Sequence, residues 1–347
     1  KSGLICSTNL KPIVKSLENI SFDKKNVFKY LCSSGILESN QTIFKNIYAL
    51  KAGHFMIYKK NKLIIKRYFH PADLFDINLY NRLKKNSFSE ITKKMSQNIN
   101  DSINKHLISD VPIGTCLSGG IDSSLITYYA LKNNKYVKIF SGFSKKIEKI
   151  PKRVIPRLLR KLSTKKFYKI NHSHKDYLVD LQKLLLFSYS PSRWGGGVPM
   201  SKICGIAKKK GVSVLLGGDG VDEISGGYNT INQIFKNPQL KEFHSIISLD
   251  KKNFFYTTKI DNDFRRYLFK EKRYILEKLK KIKNKTEQFK QLTMLLDMSI
   301  FLQSCTLPHS DEYSMFKSVE LRNPWLDIKL VGFVINLQSN LKVNRKK

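Results

Sequence analysis

The chain has 347 residues, 41% of them hydrophobic, long enough for two domains, and no apolar run nears the ~20 residues of a membrane span, so no membrane role is expected. The formal net charge of +36 raises a nucleic-acid partner. However, the basic residues are mostly Lys and spread along the whole chain, without any zinc-finger, RNA-recognition or helix-turn-helix signature, so none is expected. Cys6, Cys32, Cys116, Cys204 and Cys305 are scattered and odd in number, which excludes a disulfide framework or a metal site by spacing and fits a reducing cytoplasm.

Residues 1–75 read as a first unit. Gly3-Leu-Ile-Cys6, His54-Phe-Met-Ile-Tyr58 and Leu63-Ile-Ile-Lys-Arg-Tyr68 read as short strands, with Lys59-Lys-Asn-Lys62 a polar hairpin turn. Val27, Tyr30 and Leu31 mark a helix ending near Gly35. Cys6, inside a strand-like segment, is expected to be a core thiol. The unit is small for an independent domain. The sequence does not start with Met, and a fragment of a longer protein is the expectation. Residues 76–108 read as a linker and an amphipathic helix, because Phe88, Ile91, Met95, Ile99, Ile103 and Leu107 recur every three or four positions. That stripe is core or interface packing.

From 109 to 347 strand-like and helix-like segments alternate. Val111–Leu117, Tyr136–Phe140, Phe167–Ile170 and Val212–Leu216 read as strands, with helices near 152–163 and 175–187. Beyond about Asn232 the chain reads as helical. The alternation predicts an α/β fold with a doubly wound parallel sheet. Ligands of such sheets sit beyond the strand C-termini at a switch point.

Residues 116–124, Cys-Leu-Ser-Gly-Gly-Ile-Asp-Ser-Ser, follow the first of these strands and precede a helix. Gly119 and Gly120 allow a sharp turn, and backbone N–H groups ahead of a helix receive phosphate oxygens. Ser118, Ser123 and Ser124 add hydroxyl donors. Asp122 belongs beside phosphate only with a divalent cation between them. The Gly-Lys-Ser/Thr ending of a Walker A loop is missing. The plainer alternative is a Gly-Gly turn and a helix N-cap at Asp122 or Ser123.

Ser118-Gly-Gly-Ile-Asp-Ser123 resembles the pyrophosphate loop of the ATP pyrophosphatase (PP-loop) superfamily. The wider string from Asp110 to Ser124 is similar to the glutamine-dependent asparagine synthetases. The resemblance implies an adenine nucleotide alpha hydrolase-like sheet preceded by the C-terminal part of an Ntn-type α+β glutaminase domain. Within 1–75 it rests on Ser7-Thr-Asn-Leu-Lys-Pro12, Gln41–Ile47, Leu50–Phe55 and Lys66–Phe69. The glutaminase nucleophile would lie upstream of Lys1, so no glutaminase residue is assigned.

The segment Leu215-Leu-Gly-Gly-Asp-Gly-Val-Asp-Glu-Ile-Ser-Gly-Gly-Tyr228 places Asp219, Asp222 and Glu223 in a glycine-rich loop. Carboxylates this close repel one another unless a cation intervenes; the plainer alternative is a turn whose acids cap a helix. It is similar to the family's Ser-Gly-Glu-Gly-Ala-Asp-Glu-Leu-Phe-Gly-Gly-Tyr. The resemblance implies Gly217 and Gly218 against the nucleotide, Asp122 and Asp222 on Mg²⁺, and Asp219 near the reacting carboxylate and ammonia. Asp219 stands where Glu is usual. Cys116, Leu117 and Ser141 fall on the adenosine side.

Tyr313–Asp327 is similar to the family's Ser-Met-(x)3-Val-Glu-Val-Arg-x-Pro-Phe-Leu-Asp signature. Glu320 and Arg322 there read either as a supporting acid–base pair or as substrate ligands. Asn344-Arg-Lys-Lys347 reaches the family's pyrophosphate lysine, with Lys347 assigned over Lys346. Two departures concern the acceptor. Tyr189-Ser-Pro191 and Ser192-Arg-Trp-Gly-Gly-Gly197 replace Asp-Glu-Pro, and His309-Ser-Asp-Glu312 replaces Lys-Val-Asp-Arg, reversing a charge.

The implied activity is adenylation of an acceptor carboxylate by ATP, with pyrophosphate release, then amidation by glutamine-derived ammonia. Aspartate is the first acceptor, a sugar uronic acid in surface-polysaccharide synthesis the second, and an inactive ATP-binding scaffold the third reading. The expected partners are small molecules (ATP, glutamine or ammonia, the acceptor), and a homodimer is compatible with them.

Overall fold

The computed structural model describes residues 3–32, 35–38, 40–143, 149–162, 164, 166–171, 173–191, 196–228 and 262–343. In chain order its elements are α1 (Leu10–Ser16), α2 (Lys24–Cys32), β1 (His54–Lys59), β2 (Lys62–Arg67), α3 (Ile77–Lys84), α4 (Phe88–His106), β3 (Ile113–Cys116) and α5 (Ile121–Asn133). Next come β4 (Lys138–Phe143), α6 (Lys149–Lys161), β5 (Phe167–Asn171), α7 (His174–Ser188), α8 (Gly197–Lys209), β6 (Val214–Leu216) and α9 (Val221–Ser225). The rest are α10 (Asn262–Leu279), α11 (Lys285–Leu296), a π-helix (Asp297–Thr306), α12 (Leu307–Met315), β7 (Glu320–Arg322), α13 (Ile328–Ile335) and α14 (Ser339–Lys342).

By contacts the chain divides into two compact units. The first holds Lys1–Ser16, Thr92–Asp219 and Pro308–Leu330, and the second holds Leu17–Ile91, Gly220–Leu307 and Val331–Lys347. This division runs across the expected segments 1–75, 76–108 and 109–347.

The first unit is built on a five-stranded sheet in the order β5-β4-β3-β6-β7. Every pairing is parallel, so the expected doubly wound α/β sheet is present. Order reverses between β3 and β6: the chain runs outward through β4 and β5, then returns to the other side of β3. The strands are apolar runs because both faces are covered. Ile139 and Phe140 of β4 and Leu215 of β6 are fully buried. Gly114 of β3 is required by crowding, since a Cβ there would sit 2.8 Å from Lys138 O and 2.9 Å from Leu215 Cδ2. Helix α5 packs on β3 through buried Ile126 and Ala130, and the Thr127 hydroxyl meets that of Thr115 at 3.2 Å.

Two local expectations change. Gly3–Cys6 forms no strand and Cys6 is exposed rather than in the core. No described residue offers that segment a ladder partner, and Leu4 and Ile5 stay 43% and 50% exposed. Within 76–108, expected to be a linker and an amphipathic helix, the structure has two helices, α3 and α4. Asp76 accepts the Asn78 N–H to start α3. Ser87 and Glu90 start α4 reciprocally, Ser87 N–H donating to Glu90 and Glu90 N–H to Ser87 Oγ, a capping box. The α4 stripe is inward at Ile91, Ile99 and Ile103, but Phe88, the first helical residue, is 73% exposed.

In the second unit α11 and the π-helix bury Met294, Leu296, Met298 and Ile300. Buried Asn336 donates to Leu74 O and Gly332 O and accepts the Asp76 N–H at 2.8 Å. The β1–β2 hairpin turns through Lys60 and Asn61, both at positive φ. It leaves Ile57, Leu63, Ile64 and Ile65 about half exposed. Among the described residues no helix is long and apolar enough to cross a membrane.

Candidate functional site

The strand order places two loops side by side at the reversal. Thr115 pairs with Leu216, so the chain leaves β3 and β6 at one level and enters residues 117–120 and 217–219. A Cβ added to Gly218 would lie 3.9 Å from Ser123 N and meet nothing nearer. The two loops thus come together in the first unit with backbone exposed between them.

The 117–120 turn is held from within. Gly119 has φ +88°, a conformation that side chains disfavour. The Ser118 N–H donates to Ser123 Oγ (3.1 Å) and the two hydroxyls are 2.9 Å apart. The Gly120 N–H donates to Ser118 Oγ. Ser123 is buried and closes the loop, so its hydroxyl is spent internally rather than held out as a free donor. By contrast Ser124 Oγ and Ser141 Oγ are buried without a partner among the described residues. A buried polar atom without a partner costs about 1–3 kcal/mol, so both fit a polar ligand. Gly120 caps α5 without a side-chain bond, and the start of a 13-residue helix, whose first N–H groups lack intrahelical partners, suits an anion. Asp122 stands half-buried in that first turn. Burial pushes the Cys116 thiol well up, which keeps it protonated and inert.

The three acids of the second loop separate. Asp219 ends the first unit's share and accepts from Ser310 Oγ at 2.7 Å. Burial lifts its carboxyl above the usual range, while bonds from Ser310 and Asn323 pull it back. Gly217 faces the sheet rather than open space: its N–H donates to Arg322 O (2.8 Å), and a Cβ would meet Asn323 Oδ1 at 2.7 Å. Gly218 therefore carries the open backbone of this pair.

Asp222 and Glu223 lie on α9 in the second unit. Gly220 and Gly226 bracket this helix at φ +96° and +76°, and the Gly226 and Gly227 N–H groups donate to Asp222 O. Asp222 is half-buried and burial raises its carboxyl. Glu223 is 1% exposed and accepts from Tyr228 Oη (3.0 Å) and Thr306 Oγ1 (3.3 Å). Burial, with the nearby Glu223 charge, raises Asp297 well above the carboxylate range. Glu223 is therefore a buried network member, whereas Asp222 remains available to a ligand.

Among the described residues no three His, Cys, Asp or Glu side chains converge as a metal cage. Asp122 and Asp222 are each half-buried carboxylates, and carboxylate oxygen is the donor type that suits Mg²⁺.

Arg322 settles in a supporting position. It pairs with Glu320 at 2.7 Å and donates to His106 O (2.9 Å) and Ile108 O (2.7 Å), closing the end of α4. Trp194, Lys346 and Lys347 lie outside the described residues. Ser310, Asn323 and Thr306 were not foreseen as partners of the acids, because each meets its acid across a gap of more than 80 residues.

The family model for asparagine synthase matches residues 94–347, which contain both loops and the whole sheet. The chain belongs to the asparagine synthase family. Asparagine synthetase [glutamine-hydrolyzing] 1 of Bacillus subtilis (strain 168) is 29% identical over 246 residues, covering 70% of this chain and 36% of that protein. Putative asparagine synthetase [glutamine-hydrolyzing] 2 of Methanocaldococcus jannaschii is 29% identical over 242 residues, 65% of this chain and 43% of the relative. Asparagine synthetase [glutamine-hydrolyzing] 3 of Bacillus subtilis is 26% identical over 340 residues, 88% of this chain and 51% of the relative. This family member thus spans about half or less of the curated relatives it matches.

Proposed function

We propose that the chain carries the ATP-using part of a glutamine-dependent amidotransferase. The observation that carries this reading is the approach of the 117–124 and 217–219 loops at the strand-order reversal, with Gly218 open toward Ser123 N. ATP would lie with its pyrophosphate on Ser118, Gly119, Gly120 and Ser124 and on the N–H groups that start α5. Cys116, Leu117, Ser141 and Gly218 would take the nucleoside side, while Gly217 backs the loop against the sheet.

Asp122 and Asp222 would hold Mg²⁺, whose contribution is to neutralise charge on the departing pyrophosphate. The chain's own groups position the α-phosphorus for attack by an acceptor carboxylate, and positioning with charge complementarity carries such a step. One acceptor oxygen bonds to phosphorus as the bond to pyrophosphate breaks. Ammonia then displaces AMP. Asp219, lifted by burial, would take the proton that ammonia loses. Lys347 would face the pyrophosphate.

Residues 1–75 would end a glutaminase domain that supplies the ammonia. The β1–β2 hairpin supports this: a lone two-stranded ribbon is marginal in water, and this one exposes apolar side chains on both faces. A cytoplasmic setting follows from such chemistry.

Aspartate is the first acceptor. A second carboxylate, such as a uronic acid, is the alternative, because His309-Ser-Asp-Glu312 reverses a charge of the family's Lys-Val-Asp-Arg. Pyrophosphate release, measured with the full-length protein, ATP, Mg²⁺, glutamine and a panel of carboxylates, tests the reading. Asp122→Ala should abolish release with the fold retained. Release that survives this change removes Asp122 from the mechanism, and turnover confined to uronic acids removes aspartate.

A further inference from the structure

Lys280-Lys-Ile-Lys-Asn-Lys285 has, in sequence, the look of a solvated helix face or turn. In the second unit it forms one wall of a cleft of about 470 Å³, whose other walls are one face of α3 and residues 338–340. Lys84, Lys281, Lys283 and Lys290 line the cleft against a single carboxylate, Glu287. That carboxylate is already engaged. It accepts the Ser339 N–H at 2.9 Å, the Ser339 hydroxyl, and Gln291 Nε2 at 2.8 Å.

The surplus is local rather than a reflection of the basic chain as a whole. Neighbouring Lys278 and Lys280 do find acids, Asp73 and Glu277. Among the described residues, no acid pairs with Lys84, Lys281 or Lys283. Asn284, which also lines the cleft, accepts the Glu287 N–H through Oδ1 at 3.0 Å and caps the 12-residue α11. Concave low-dielectric walls concentrate the field of such charges, and cations converging on one space repel until an anion sits between them. Lysines act on phosphate as mobile point charges with three donors each. A volume of 470 Å³ lies within the range of small-ligand sites, roughly 300–1,000 Å³.

We propose that this cleft is a binding site for a compact polyphosphate anion, a di- or triphosphate group, held by Lys84, Lys281 and Lys283. The site is independent of the proposed amidotransferase reaction and stands whether or not that reaction is found.

The experiment is site-resolved lysine acetylation, read by mass spectrometry, on the full-length protein with and without inorganic tripolyphosphate at fixed ionic strength. Saturable protection is expected at Lys84, Lys281 and Lys283, at least about tenfold, the scale of a 1.4 kcal/mol preference. Lys59 and Lys62 on the hairpin should be unaffected. Because the readout is per lysine, tripolyphosphate bound at the glycine loops does not obscure it. In a Lys281→Glu, Lys283→Glu variant with an unchanged circular dichroism spectrum, protection of Lys84 should vanish. Protection spread evenly over surface lysines, no protection at the cleft, or protection of Lys84 persisting in the variant would each overturn the assignment.

Discussion

Glu312→Gln probes the acidic face of α12 without touching the glycine loops. Burial pushes the Glu312 carboxyl up to about 7, and the Asp311 charge adds to this, against an ordinary value of 4.5. Between those values the fold keeps a proton that the unfolded chain has released, so stability falls as pH rises through the window. At about 1.4 kcal/mol per tenfold, the loss grows to about 3 kcal/mol above pH 7. Solvent screening at a half-buried group makes that figure a ceiling. Glutamine keeps the shape and cannot ionise. The variant should therefore match the parent near pH 4.5 and exceed it by up to about 3 kcal/mol near pH 8. Urea unfolding of both proteins across the window gives the comparison directly. Stability curves that run parallel from 4.5 upward would refute a proton-holding Glu312.

Three further outcomes are expected. Gly114→Ala should lower stability by about 1–3 kcal/mol through overpacking, seen as a lower melting temperature, because its Cβ would press on Lys138 O and Phe140. Arg322→Leu strips two carbonyls at the end of α4 of their donor and should cost about 1–3 kcal/mol; an unchanged urea midpoint would show that water replaces it without loss. In Gly227→Ala the added methyl would overlap Asp222 Oδ1. The carboxylate can swing aside, so pyrophosphate release should drop steeply while stability changes by less than about 1 kcal/mol; full activity would detach the present Asp222 orientation from the proposed chemistry.

The parallel sheet was legible because its strands are short apolar runs split by helical spacing, and the loop at 117–120 because glycine and serine follow one of those runs. Local chemistry alone specifies both. The fate of the second loop was less legible. Asp219, Asp222 and Glu223 look alike in sequence, yet Glu223 goes inside because Tyr228 and Thr306 meet it there. Asp219 is fixed by Ser310, 91 residues on. Such pairings depend on the π-helix and α12 arriving at the right phase, which no local pattern encodes. Gly3–Cys6 failed for a related reason: alternation makes a strand only where a neighbour completes the ladder. Glu320 and Arg322 were readable as a pair, but the α4 carbonyls that Arg322 closes were not.

The mutual grip of Ser118 and Ser123 has a corollary for the proposed function. A turn stapled by its own hydroxyls already has its final shape, so a phosphate taken up there would demand little surrender of chain freedom. Loosening the staple would add that cost back and shorten the residence of the nucleotide.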